Sequence, residues 1–103
     1  MALTRDFRLT VQARVQNDPE YRRGLLSDAI ESLLAGESAL GREILRDFIN
    51  ATLGFPALAE KTGIHVKTLH QMFGPKGNPT AEHLFNIIAC LQENEGVRLQ
   101  VVA

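Results

Sequence analysis

The chain has 103 residues, a formal net charge of −1, 45% hydrophobic and 22% charged residues. That fits one small soluble globular domain, able to bury a core but with little room for a separate catalytic domain. The single Cys90 excludes an internal disulfide, no apolar run reaches membrane-spanning length, and the charged start MALTRDFRLT lacks a signal-peptide core, so a cytoplasmic protein with no membrane contact is expected.

Residues 6–16 read as a short helix with Phe7, Val11 and Val15 on one stripe. Asp18-Pro19 is a helix-start signal, an acceptor followed by a residue that needs no donor. The helix it opens runs to about Ala35, with Tyr21, Leu25, Leu26, Ala29, Ile30, Leu33 and Leu34 forming a wide apolar face. Gly36 is placed to stop it. A further helix covers 38–53, with Leu40, Ile44, Leu45, Phe48, Ile49 and Leu53 inward and Arg42, Glu43, Arg46 and Asp47 outward. Gly54 ends it.

Two short helices follow, Phe55 to Thr62 and Val66 to Phe73, separated at Gly63. Then GPKGNP, Gly74 to Pro79, is a dense loop signal. Thr80 is a good N-cap for a helix over 81–92 that turns Leu84, Ile87, Ile88 and Leu91 to the core. The last stretch, VRLQVV from Val97 to Val102, alternates apolar and polar residues and predicts a strand. A lone strand leaves its backbone groups without partners, so it should pair with the same strand of a second copy or with a sheet edge on another protein. The fold class is therefore all-α, with five to six helices and a short C-terminal β-strand.

The string FPALAEKTGIHVKTLHQMFG carries the functional inference. Ala59 is small where the second helix crosses the first. Gly63 stands where the turn needs a left-handed backbone. Leu58, Ile64, Leu69 and Met72 lock the pair at a steep angle, holding the second helix out as a ridge that fits a major groove.

Those six typed positions resemble the helix-turn-helix of the Cro and lambda-repressor (XRE-like) family, with helix 38–53 as the first helix and the GNPT loop and following helix as its continuation. The likeness covers residues 38–92, about half of the chain. It implies an N-terminal helical extension over 1–37, a DNA-binding domain over 38–92 and a dimerising strand over 93–103. The sequence departs from the family at Phe55, where Gln often touches a phosphate, and at Thr62, where an apolar residue is common. The ALAEKTGI helix-turn-helix, the FGPKGNPT loop and the terminal VRLQVV together are also similar to the HigA-like antidote proteins, antitoxins that bind an RNA-cleaving toxin and repress their own operon.

Carried over residue by residue, the likeness makes Val66, Lys67, Gln71 and His70 the base-reading candidates. Lys67 can donate to guanine O6 and N7, Gln71 can pair with adenine, and Val66 can touch a thymine methyl. Lys61, His65, Lys76, Asn78 and Thr80 are the phosphate candidates, though Thr80 also reads as a helix cap and Asn78 as a turn residue. The plainer alternative for Lys67 and Gln71 is a solvated helix face. The implied function is a DNA-binding transcriptional regulator, a dimeric repressor on double-stranded DNA. The alternative is an antitoxin whose main role is to neutralise a small toxin protein.

Charge gives this modest support. Segment 55–92 holds Lys61, Lys67 and Lys76 against Glu60 and Glu82 and is the only net-positive stretch, yet it contains no Arg. A homodimer doubles the contacts. No metal or other cofactor is expected: His83 and Cys90 lie two turns apart, and His65 and His70 share no face. Nothing positions a base beside Cys90, and GPKGNP lacks the preceding strand and GK[ST] ending of a phosphate loop, so an enzyme is not expected.

Overall fold

The computed structural model describes Thr10 and residues 13–103. Those residues are all-helical and include no strand. From Pro19 onward five helices follow one another: α1 Pro19–Leu34, α2 Ser38–Ala51, α3 Phe55–Thr62, α4 Val66–Met72 and α5 Ala81–Glu95. The chain divides into two compact units, Met1–Thr52 and Leu53–Ala103. None of its described helices is long and apolar enough to cross a membrane.

In the first unit, the helix expected over 6–16 falls largely outside the described residues; residues 13–17 are helical and Val15 is buried. Asp18 caps α1 as its sequence suggests, its Oδ1 accepting the Tyr21 N–H at 3.1 Å. The Arg22 guanidinium donates to the carbonyls of Val15 and Gln16, tying the two helical stretches together. Helix α1 packs against α2, and Leu26, Ala29, Leu45, Phe48 and Ile49 are buried. The turn between them closes with the Gly36 N–H on the Leu33 carbonyl and the Glu37 N–H on the Ser32 carbonyl, the paired bonds that finish a helix at a glycine.

Two leucines expected inside are not. Leu34 is 69% exposed and Leu40 is exposed as well. Each sits on the flank of the buried line of its helix, Leu26–Ala29 in α1 and Leu45–Phe48 in α2, where periodicity still counts it as apolar-facing but nothing in the unit covers it.

In the second unit, α3 packs on both α4 and α5. Phe55, Leu58, Ile64, Leu69, Met72, Phe73, Ile87, Ile88 and Leu91 are buried. Leu84 is half-buried, and Phe85, on the opposite side of α5 from Ile87, is exposed. Helix α5 runs three residues beyond its expected end, because Glu93 to Glu95 continue it until Gly96 turns left-handed at φ 71°.

Residues 97–102 do not form the expected strand. A strand is defined by its ladder bonds, and a single copy offers no second strand to supply them.

Candidate nucleic-acid interface

The unit α3–turn–α4 is short, so its geometry depends on what its termini bond to. Gly63 ends α3 at φ 76°, ψ 8°, its N–H on the Ala59 carbonyl at 2.9 Å. A side chain at this left-handed position would be strained, which explains the glycine. Thr62, the polar departure from the family pattern, turns its hydroxyl inward along the helix. It donates to the Leu58 carbonyl at 2.8 Å, and its oxygen accepts the Ile64 N–H at 3.3 Å. An apolar residue there would fill the space but leave that N–H unbonded.

Phe55, the other departure, is 3% exposed. Its ring lies 4.5 Å from the His70 ring and meets the Phe73 ring edge-on at 5.8 Å. The first residue of α3 is thus a packing residue that anchors the last turn of α4. Aromatic spacing at 70 and 73, one turn apart, is the signal from which this cluster was legible.

With Leu69 and Met72 buried, Lys67 and Gln71 fall on the opposite side of α4, one turn apart, and both are exposed. They form an exposed ridge. Val66 is half-buried at the start of the helix. His70 is exposed at its rim while its ring rests on Phe55. Thr68 is exposed beside Lys67.

The phosphate candidates divide. His65 is the N-cap of α4, its Nδ1 accepting the Lys67 N–H at 3.1 Å. That leaves Nε2 as the ring nitrogen open to an external partner. Thr80 caps α5, its oxygen accepting the His83 N–H at 3.1 Å, and its own hydroxyl proton can still be donated outward. Lys76 and Asn78 are exposed in the intervening loop. Asn78 makes no side-chain hydrogen bond among the described residues, so the turn does not depend on it. The loop itself is pinned: a Cβ on Gly77 would run into the carbonyls of Met72 and Gln71 at the end of α4. Lys61 stands apart. It lines a shallow concavity with Asn86, Ala89, Cys90, Glu93 and Asn94 of α5.

Cys90 is half-buried in that concavity. Burial pushes its thiol above the ordinary range, with Lys61 opposing the shift and Glu93 adding to it. A thiol held protonated in this way is a poor nucleophile. Among the described residues no cluster of three His, Cys, Asp or Glu side chains could hold a metal. Comparison with protein-family models, with curated proteins and with solved structures finds no match.

Proposed function

We propose that this chain is a sequence-specific DNA-binding transcriptional regulator of the lambda-repressor-like helix-turn-helix class, acting as a homodimeric repressor. One observation carries the proposal: α4 presents Lys67 and Gln71 as an exposed ridge, while Leu69 and Met72 on its other side are buried, His65 caps its start and the Phe55 ring packs on His70 near its end. A fixed ridge with a strong donor and a bidentate amide one turn apart suits major-groove base edges. The same pair on a frayed helix would lose much of its selectivity to ordering entropy.

The remaining groups have consistent parts to play. Lys76, Asn78, the Thr80 hydroxyl and His65 Nε2 serve the phosphates, Val66 and His70 flank the bases, and Lys61 contributes general attraction. The chain is near neutral, so a single copy supplies few phosphate contacts and binds weakly; two copies on a two-fold-related site double them.

Fluorescence anisotropy on selected double-stranded DNA tests this. Lys67→Ala and Gln71→Ala should each lower affinity for the preferred sequence by about 1–3 kcal/mol and flatten the preference at one base pair. Lys76→Ala should weaken all sequences alike and reduce the salt dependence. Unchanged affinity and preference in both ridge variants would refute the assignment.

A second reading, an antitoxin that neutralises a small toxin protein, is favoured by the uncovered Leu34 and Leu40 flanking the α1–α2 turn. Co-expression with the product of the adjacent gene tests it. Failure to co-purify would remove that support and leave the DNA reading intact.

A further inference from the structure

Helix starts are most often capped by a side-chain oxygen of Ser, Thr, Asp or Asn, as Asp18 caps α1 and Thr80 caps α5. The start of α4 is capped by a ring nitrogen. His65 stands there at φ −59°, ψ 139°, and its Nδ1 accepts the Lys67 N–H at 3.1 Å. The helix that follows has 7 residues, well short of the roughly 12 below which a helix has little order of its own. Its order therefore depends on what fastens it, which at its start is this cap. The N–H that the cap holds belongs to Lys67, the residue whose side chain is assigned to the bases.

A hydroxyl or carboxylate cap keeps an acceptor lone pair throughout the neutral range. A ring nitrogen does not. Nδ1 accepts only while it carries no proton, which places the proton of the neutral ring on Nε2. Histidine is the side chain that gains charge between about pH 5 and 8. With both nitrogens protonated the ring has donors only, and it meets the Lys67 N–H donor to donor. Its charge also lies at the positive end of the α4 dipole. The ring is exposed, so it is free to swing outward. Beside it, Glu60 of α3 is the one charged residue lining the same open concavity, and on α4 the nearest charge is the Lys67 ammonium. The Lys67 backbone N–H does not titrate, so protonation of the ring alone decides the bond.

We propose that His65 is a proton switch on the reading helix: neutral, it caps α4 and fixes Lys67; protonated, it releases the first turn and turns a positive charge toward the phosphates. The inference rests on the DNA reading proposed above and concerns the regulation of that same helix. Its two consequences have opposite sign. A loosened first turn must be ordered again on each binding event, so the preference contributed by Lys67 falls. The added charge strengthens attraction to the phosphates of any sequence. Acid therefore moves the protein from selective toward indiscriminate binding. A histidine that only touched phosphate would raise affinity on acidification and leave preference unchanged.

The test uses the full chain, first without DNA. In NMR spectra the Lys67 amide shift should follow protonation of the His65 ring, with the same midpoint. Fluorescence anisotropy then compares a selected duplex with a scrambled one. Between about pH 8 and 5.5 the preference should fall by about two- to fivefold, the worth of a lost cap, while affinity for the scrambled duplex rises. A chain carrying both His70→Gln and His83→Gln keeps His65 as its only histidine and should keep both responses. His65→Asn in that background, with a capping oxygen that does not titrate, should lose both, whatever its affinity. A Lys67 amide indifferent to the His65 ring would overturn the switch, as would a fall in preference that survives His65→Asn. If the amide follows the ring but Lys67→Ala leaves preference unchanged at pH 8, the base-reading assignment fails and the cap switch stands.

Discussion

The Phe55 and His70 rings lie 4.5 Å apart, centroid to centroid, at an interplanar angle of 34°. This contact joins the first residue of α3 to the last full turn of α4, and it makes position 55 part of the core. Phe55→Ala should destabilise the second unit by about 3–5 kcal/mol, the range for truncating a buried phenylalanine. Phe55→Gln should be no better, because the amide would be buried without a partner. His70→Ala, which removes an exposed ring resting on Phe55, should be much milder. Urea unfolding measures all three; a Phe55→Gln variant as stable as the parent would show that the ring is dispensable.

Gly24 and Gly41 should respond with opposite sign to the same substitution. Gly24 lies inside α1 with nothing within 4 Å of an added Cβ. Gly24→Ala should stabilise the protein by about 0.5–1 kcal/mol, through helix propensity and a less flexible unfolded chain. At Gly41 an added Cβ would stand 2.6 Å from the Leu33 side chain and 3.1 Å from the Ala29 carbonyl oxygen. Gly41→Ala therefore pushes α2 off α1 and should destabilise by about 1–3 kcal/mol. Thermal unfolding of the two variants side by side decides it; equal shifts would mean that α1 and α2 are less closely packed than this.

Features set by near neighbours were legible in the chain. Asp18 and Thr80 cap the helices that follow them, and Gly36 and Gly63 end helices, because each depends on residues within one turn. Features set by distant neighbours were not. The exposure of Leu34, Leu40 and Phe85 depends on which flank of an apolar stripe finds a covering partner, and periodicity does not say. Likewise Lys61 reads as one more basic residue of the motif until α5 is seen beside it. The alternation of Val97 to Val102 was read as a strand, but the ladder that would make it one lies outside a single chain.

Thr80 offers a way to separate fold from binding. Its oxygen caps α5 by accepting the His83 N–H, so Thr80→Ala should lower stability by about 1 kcal/mol. Thr80→Asp keeps a capping oxygen and places a negative charge at a helix N-terminus, so stability should hold or rise slightly. On DNA the same aspartate would sit beside phosphate and should weaken binding of every sequence. Measuring urea midpoints and DNA affinity on both variants tests this. If Thr80→Asp bound DNA as tightly as the parent, Thr80 would be a cap alone.

Cys90 should react more slowly than an ordinary cysteine. Burial is the main cause of its raised thiol pKa, opposed by Lys61 and reinforced by Glu93. A raised pKa means less thiolate at any given pH, so alkylation by iodoacetamide at about pH 8 should lag behind that of an unstructured cysteine peptide. Its pH profile should be displaced upward. Removing the opposing cation in Lys61→Ala should slow the reaction further, whereas Glu93→Gln should speed it, and unfolding in urea should restore the peptide rate. The signs at Lys61 and Glu93 separate electrostatics from simple access, since shielding alone would predict faster alkylation in Lys61→Ala and no change in the isosteric Glu93→Gln. Folded protein reacting as fast as the peptide would refute the displacement.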